Sequence, residues 1–206
     1  MPTASGERDV VQGDAYIRAV RDTRAMNLDV QAGPARLFVG LWPDEAVRDA
    51  LQAHQQAWRW PARAGLVRRE RLHVTLHFLG DVARERIPAL QQALRGVKAC
   101  AFELPFGEAR RWHGGLAVVE MVPVPALMAL HLAVGEALAP LGHVPERRPF
   151  RPHLTLARRA EGAVPPPGPL AIPWTVRGLV LVESELAPPA RYAVRADCPL
   201  ALPPAR

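Results

Sequence analysis

The chain has 206 residues, 26 basic against 20 acidic side chains, and a formal net charge of +6. Its 49% hydrophobic and 22% charged content fits a folded domain and excludes wholesale disorder. No uncharged apolar run approaches the length of a membrane-spanning helix, the first thirty residues lack a secretory-signal pattern, and two cysteines exclude a disulfide framework, so a cytoplasmic location is expected.

Residues 1–35 hold four arginines and five acids, a net charge of −1, which leaves +7 on residues 36–206. Apolar residues are scattered there, so a mobile extension is expected, with a short helix around Ala15–Met26. Residues 36–206 form the functional domain. Leu37–Trp42 is an apolar run that predicts a buried strand. Pro43-Asp44-Glu45 opens a helix whose Val47, Leu51, Gln55 and Trp58 share one face, ended by Pro61. Leu72–Leu79 predicts a strand, and Arg86–Val97 a helix with Pro88 in its first turn. Further strands are expected at Ala101–Phe106 and Leu116–Val122. Pro125 opens a third helix, with Leu127, Leu130, Val134 and Leu138 on one face and Gly142 past its end. The last strands are His153–Ala157, Leu179–Glu183 and Tyr192–Ala196, and the five prolines of Val164–Pro173 predict a stiff surface loop. Strands and helices without strict alternation give an α+β fold.

Two segments echo each other. Leu72-His73-Val74-Thr75-Leu76 and Pro152-His153-Leu154-Thr155-Leu156 both read His-apolar-Thr-apolar. On a strand, side chains two apart share a face, so each segment offers an imidazole and a hydroxyl from an apolar-backed support. Two histidines suit displacement at phosphorus: one accepts a proton from the nucleophile, the other donates one to the leaving oxygen. Threonine hydroxyls and arginines can hold the phosphate oxygens.

Of the 26 basic residues, 25 are arginine, and Arg147, Arg148, Arg151, Arg158 and Arg159 flank the second segment. Genome composition accounts for arginine in general, not for that cluster. By the same alternation His77 shares the face of His73 and Thr75, so His73, His77 and His153 form an alternative zinc set. His54, His113, His131 and His143 read as surface or helix residues, and Cys100 and Cys198 as small buried ones. Trp58, Trp60 and Trp112 suit core or edge packing, with base stacking as the alternative.

The segments Leu72–Gly80 and Arg148–Arg158, with Arg36–Val39, Glu103–Gly107 and Val182–Leu186, resemble the two-histidine phosphoesterase superfamily over about residues 36–198. The nearest branch is the RNA 2′,3′-cyclic phosphodiesterases, also called 2′-5′ RNA ligases. The resemblance implies two pseudo-symmetric lobes with antiparallel sheets flanked by helices and a central cleft. It implies hydrolysis of a 2′,3′-cyclic phosphate at an RNA 3′ end to a 2′-phosphate, without metal or other cofactor, by a monomer. His153 would be the proton acceptor and His73 the proton donor. Thr75, Thr155 and Arg158 would hold the phosphate, with Phe38, Phe150 and Arg151 as further substrate contacts. Relatives often carry lysine where this chain has His77. Two alternatives stand beside this reading: activity on 2′-5′ linkages or small cyclic nucleotides, including RNA ligation, and an RNA-end-binding module with little turnover.

Overall fold

The computed structural model describes residues 33–202 apart from 145, 147, 169 and 186–190. The expected extension with its Ala15–Met26 helix lies outside the described residues. Ten strands and three α-helices follow in the order β1 (Ala35–Leu41), α1 (Glu45–Gln56), β2 (Gly65–Leu66), β3 (Val74–Val82), α2 (Ile87–Arg95), β4 (Phe102–Glu103), β5 (Phe106–Trp112), β6 (Leu116–Met121), α3 (Pro125–Leu138), β7 (His153–Arg158), β8 (Thr175–Val176), β9 (Gly178–Glu185) and β10 (Arg191–Pro199). The α+β expectation holds. No helix among the described residues is long and apolar enough to cross a membrane.

The main sheet runs β10-β9-β1-β3-β7-β6-β5, with β2 added to β7, and its pairings are antiparallel. Two strand groups, β10-β9-β1-β3 and β7-β6-β5, join through a single residue pair, Val74 with Leu154. The implied two sheets are therefore one sheet, pinched at its centre. Val74 and Leu154 are fully buried, and their neighbours His73 and Thr75, His153 and Thr155 point to the opposite face. Both motifs thus begin at the pinch, where the strand groups splay into a cleft.

Helices cover the other face. The Asp44 carboxylate accepts the Val47 N–H at 2.9 Å and caps α1. The Gln55 amide of α1 donates to the carbonyls of Leu156 at 2.8 Å and Val67 at 2.9 Å, tying α1 to the half carrying the second motif. Helix α3 packs on β3, the strand of the first motif. Each strand group is therefore backed by a helix that follows the other group in sequence, which couples the two motifs mechanically.

Two expected elements and the burial of one cysteine are corrected. The first helix ends at Gln56, short of Pro61, and Trp58 packs in the following turn with its ring stacked on Trp60 at 4.8 Å. Ala101–Phe106 is not one strand: Leu104-Pro105 divides it, β4 pairs with β8 in a separate ribbon, and β5 continues to Trp112. The strand β5 has few apolar residues, and its polar face to solvent hid it in the sequence. Cys100 is exposed, whereas Cys198 is buried in β10, where burial pushes its thiol up to about 11.

Candidate active site

His73 and His153 are held in the same way. The Nδ1 of His73 lies 2.7 Å from the carbonyl oxygen of Arg71, and the Nδ1 of His153 lies 2.8 Å from that of Arg151. A carbonyl only accepts, so Nδ1 carries the hydrogen in both rings. Nε2 is then the working nitrogen, an acceptor when the ring is neutral and a donor when it is charged. The same i, i−2 bond in both motifs fixes both rings against rotation.

Around them is a cavity of about 230 Å³, lined by His73, Thr75, His153, Thr155, Arg158 and Phe38 among others. That volume is below the ~300–1,000 Å³ of a site for a drug-sized ligand and suits a terminal phosphate with its sugar. The structure brings together six of the eight residues expected at the site and leaves two outside. Phe150 stacks on His131 at 3.9 Å, with planes 2° apart, and packs against the core, so it is not a cleft wall. Arg151 lies outside the cavity lining, with its guanidinium 4.7 Å over the Trp112 ring. Of the five clustered arginines, Arg158 lines the cavity; Arg148 reaches Glu146 at 3.3 Å, and Arg147 lies outside the described residues.

The cavity also has walls that the sequence reading missed. Arg71, Tyr192, Arg36 and Phe78 contribute to it. The Arg71 guanidinium lies 4.7 Å over the Tyr192 ring, matching Arg151 over Trp112. The repeat is therefore Arg-x-His-x-Thr, one residue pair longer than His-x-Thr, and that signal is present in the sequence. Tyr192 carried no such signal, because it comes from β10 through tertiary contact alone.

Phe78 occupies the face expected for His77. Thr75 pairs with Gly40 and His77 with Val39, so β3 spends an extra residue at Leu76 where β1 does not. This bulge turns His77 onto the buried face beside Val39 and returns Phe78 to the cleft. The close approach requires Gly40, because a Cβ there would lie 2.8 Å from the Val74 carbonyl oxygen. His73, His77 and His153 therefore do not converge as a zinc set, and His77 does not sit at the cleft rim in place of a lysine.

His77 instead joins a second histidine group. Its Nε2–H donates to the His131 carbonyl at 2.8 Å, and its Nδ1 faces His143 Nε2 at 3.3 Å. Its ring stacks on His131 at 4.3 Å, and His131 in turn stacks on Phe150. Burial holds the pKa of all three histidines below the ordinary imidazole value, and proximity to His77 adds to this for His131 and His143. In the unfolded chain they titrate near 6.5, so the unfolded state takes up more protons below that pH. Their contribution to stability is complete above pH ~6.5 and is lost as pH falls through their lower folded values. The melting temperature is expected to drop by several degrees from pH 7 to pH 5. His131→Phe, which keeps a ring in the stack but cannot charge, is expected to flatten that drop in thermal melts.

The two motif histidines differ in surroundings. The His73 ring stacks on Phe38 at 4.7 Å and on Trp42 at 5.7 Å, and meets Tyr192 edge-on at 5.6 Å. This burial, together with the charges of Arg71, His153 and Arg158, pushes its pKa down to about 4. His153 lies against Trp112 at 4.4 Å. Burial lowers its pKa as well, aided by Arg151 and Arg158 and opposed by Glu120.

A family model described as the 2′-5′ RNA ligase superfamily matches residues 44–188. The chain is 34% identical over 140 residues to the RNA 2′,3′-cyclic phosphodiesterase of Escherichia coli, covering 66% of this chain and 79% of that protein. It is 36% identical over 170 residues to the protein of the same name from Thermus thermophilus, covering 74% of this chain and 83% of that one. Among solved structures, E. coli LigT in apo form superposes with a TM-score of 0.73 at 28% identity, covering 82% of this chain and 99% of LigT. E. coli LigT complexed with 3′-AMP gives 0.73 at 27% identity, with the same coverage of both chains.

Proposed function

The chain belongs to the 2′-5′ RNA ligase superfamily, and from that membership we propose that it hydrolyses the 2′,3′-cyclic phosphate at an RNA 3′ end to a 2′-phosphate. The observation that carries this reading is the matched pair of imidazoles, each with Nδ1 tied to a carbonyl and Nε2 left for the cleft. A pure binding module has no use for two such nitrogens.

His153 Nε2 accepts a proton from water as the water oxygen bonds to phosphorus. The bond from phosphorus to the 3′-oxygen breaks, and His73 Nε2–H protonates that oxygen. The 2′-oxygen keeps the phosphate. Thr75 and Thr155 donate hydroxyl hydrogens to its non-bridging oxygens, and Arg158 offsets their charge. Phe38, buried and stacked on the His73 ring, backs that imidazole rather than the nucleoside. All of these residues lie in one copy of the chain, so a monomer from residue 36 onward suffices.

The test is a 2′,3′-cyclic-phosphate oligonucleotide incubated in excess chelator, with the product ends identified chromatographically. Turnover undiminished by chelator and a 2′-phosphate end are expected. A 3′-phosphate end would reverse the direction of attack and with it the two histidine roles.

A further inference from the structure

Glu120 lies directly opposite His153 in the pairing of β6 with β7, so the two side chains share a sheet face. One carboxylate oxygen of Glu120 accepts the Trp112 Nε1–H at 2.9 Å, and the Trp112 ring lies against the His153 ring. The same oxygen meets the Arg151 guanidinium at 3.4 Å, and the other meets Arg110 Nε at 3.4 Å. Arg110 also reaches outward to Glu108. Glu120 is thus the centre of a bracket in which Trp112 packs beside the imidazole and Arg151, whose carbonyl holds His153 Nδ1, packs on Trp112.

His73 is built differently. Its ring meets Phe38, Trp42 and Tyr192, with Arg71 over Tyr192, and among the described residues no carboxylate takes the place that Glu120 has beside His153. Two motifs alike in sequence therefore sit in unlike electrostatic settings. A proton acceptor becomes positive as it works and is helped by a nearby negative charge; a proton donor becomes neutral and is not.

We propose that Glu120 is a positioning residue for the reaction, holding the His153 ring through Trp112 and supporting the imidazolium formed when His153 takes the proton from water. The proposal rests on the reading of His153 as proton acceptor. The titratable group across the cleft is His73, and the charges facing His153 are Arg151 from its own segment and Arg158 from the end of β7. These disfavour the imidazolium, and Glu120 acts against them.

The experiment combines two readouts on E120Q and E120D. Carbon-13 histidine labelling, with His153 assigned by its removal, gives the titration midpoint of that ring directly. The pH profile of kcat on a saturating cyclic-phosphate oligonucleotide, which reports the complex in which His73 is charged, gives the acidic limb. In E120Q the His153 midpoint is expected to fall by about half to one pH unit, the interaction of a close, partly screened charge pair. The acidic limb moves with it, the alkaline limb stays, and kcat at neutral pH drops roughly tenfold with little change in KM. E120D keeps the charge and is expected to titrate close to wild type. Both arginine partners are more than half exposed, at 55% and 70%, so E120Q leaves no buried charge unpaired. An unmoved His153 midpoint in E120Q overturns the proposal, as does an E120D midpoint as low as that of E120Q. A shifted midpoint with an unmoved acidic limb keeps the tie between Glu120 and His153 and removes His153 from the role of base, so the two readings fail separately.

Discussion

His73→Ala and His153→Ala are each expected to lower kcat on a 2′,3′-cyclic-phosphate substrate by roughly 10²–10⁴-fold, the usual range for a positioned acid or base. The double variant is expected to be little worse than the weaker single one, because the two rings serve one proton inventory and their effects do not multiply. Steady-state rates of the three variants are the measurement. The low pKa of His73, about 4, adds a sharper expectation. At neutral pH the free protein holds His73 neutral, yet the proposed reaction requires it charged. A phosphate anion placed beside the ring favours the imidazolium, so the substrate brings the acid into its working state. Binding of a nucleoside 2′-phosphate is then accompanied by proton uptake at pH 7, which calorimetry in buffers of different ionisation enthalpy reads directly. The alkaline limb lies at lower pH in kcat/KM, which reports the free protein, than in kcat, which reports the complex. A coincident pair of limbs, with no proton uptake, would remove His73 from the role of acid.

The parts of this site legible in the sequence are those fixed by strand alternation. His73 with Thr75, and His153 with Thr155, lie two apart on strands, and that spacing placed all four correctly. The alternation failed one turn of the pleat further on. Extending it to His77 assumed a regular strand, and the bulge at Leu76 reversed the faces of His77 and Phe78. A bulge depends on the pairing of two strands, here β1 and β3 with Gly40 at the close approach, and a single strand's sequence carries little trace of it. The same limit applies to Phe150 and Arg151. Both adjoin the second motif, but the chain ahead of β7 does not alternate like a strand, and tertiary partners from α3 and β5 set their directions. Trp112 and Glu120 lie some 30 to 40 residues before His153, and β-pairing alone brings them to it.

Glu183→Ala is expected to destabilise the fold by about 2–4 kcal/mol, near the cost of removing one partner from a buried ion group. Glu183 sits on β9, is 2% exposed, and belongs to a segment that the family resemblance already marked. Its carboxylate meets Arg84 Nη2 at 2.6 Å and Arg195 Nε at 2.6 Å. Arg84 opens the turn that leads into α2, and Arg195 is the extra residue where the register of β10 shifts against β9. One buried carboxylate therefore fastens a helix start and a bulged edge strand to the sheet. Burial alone would raise its pKa, but the two guanidinium groups reverse that and hold it below the ordinary carboxylate value. Because the folded value is the lower one, its stabilisation is present at neutral pH and is lost as pH falls through that depressed value. Urea midpoints at pH 7 should drop sharply in the alanine variant and less in Glu183→Gln, which keeps one acceptor oxygen for one of the two guanidinium groups; the glutamine variant should also lose part of the acid sensitivity of the wild type. The consequence reaches the cleft. Ser184 and Tyr192, one residue beyond Glu183 and three before Arg195, both line the cavity, and Tyr192 packs on the His73 ring. A loosened β9–β10 pair frees that wall, so surviving folded Glu183→Ala protein is expected to bind substrate less tightly, raising KM more than it lowers kcat.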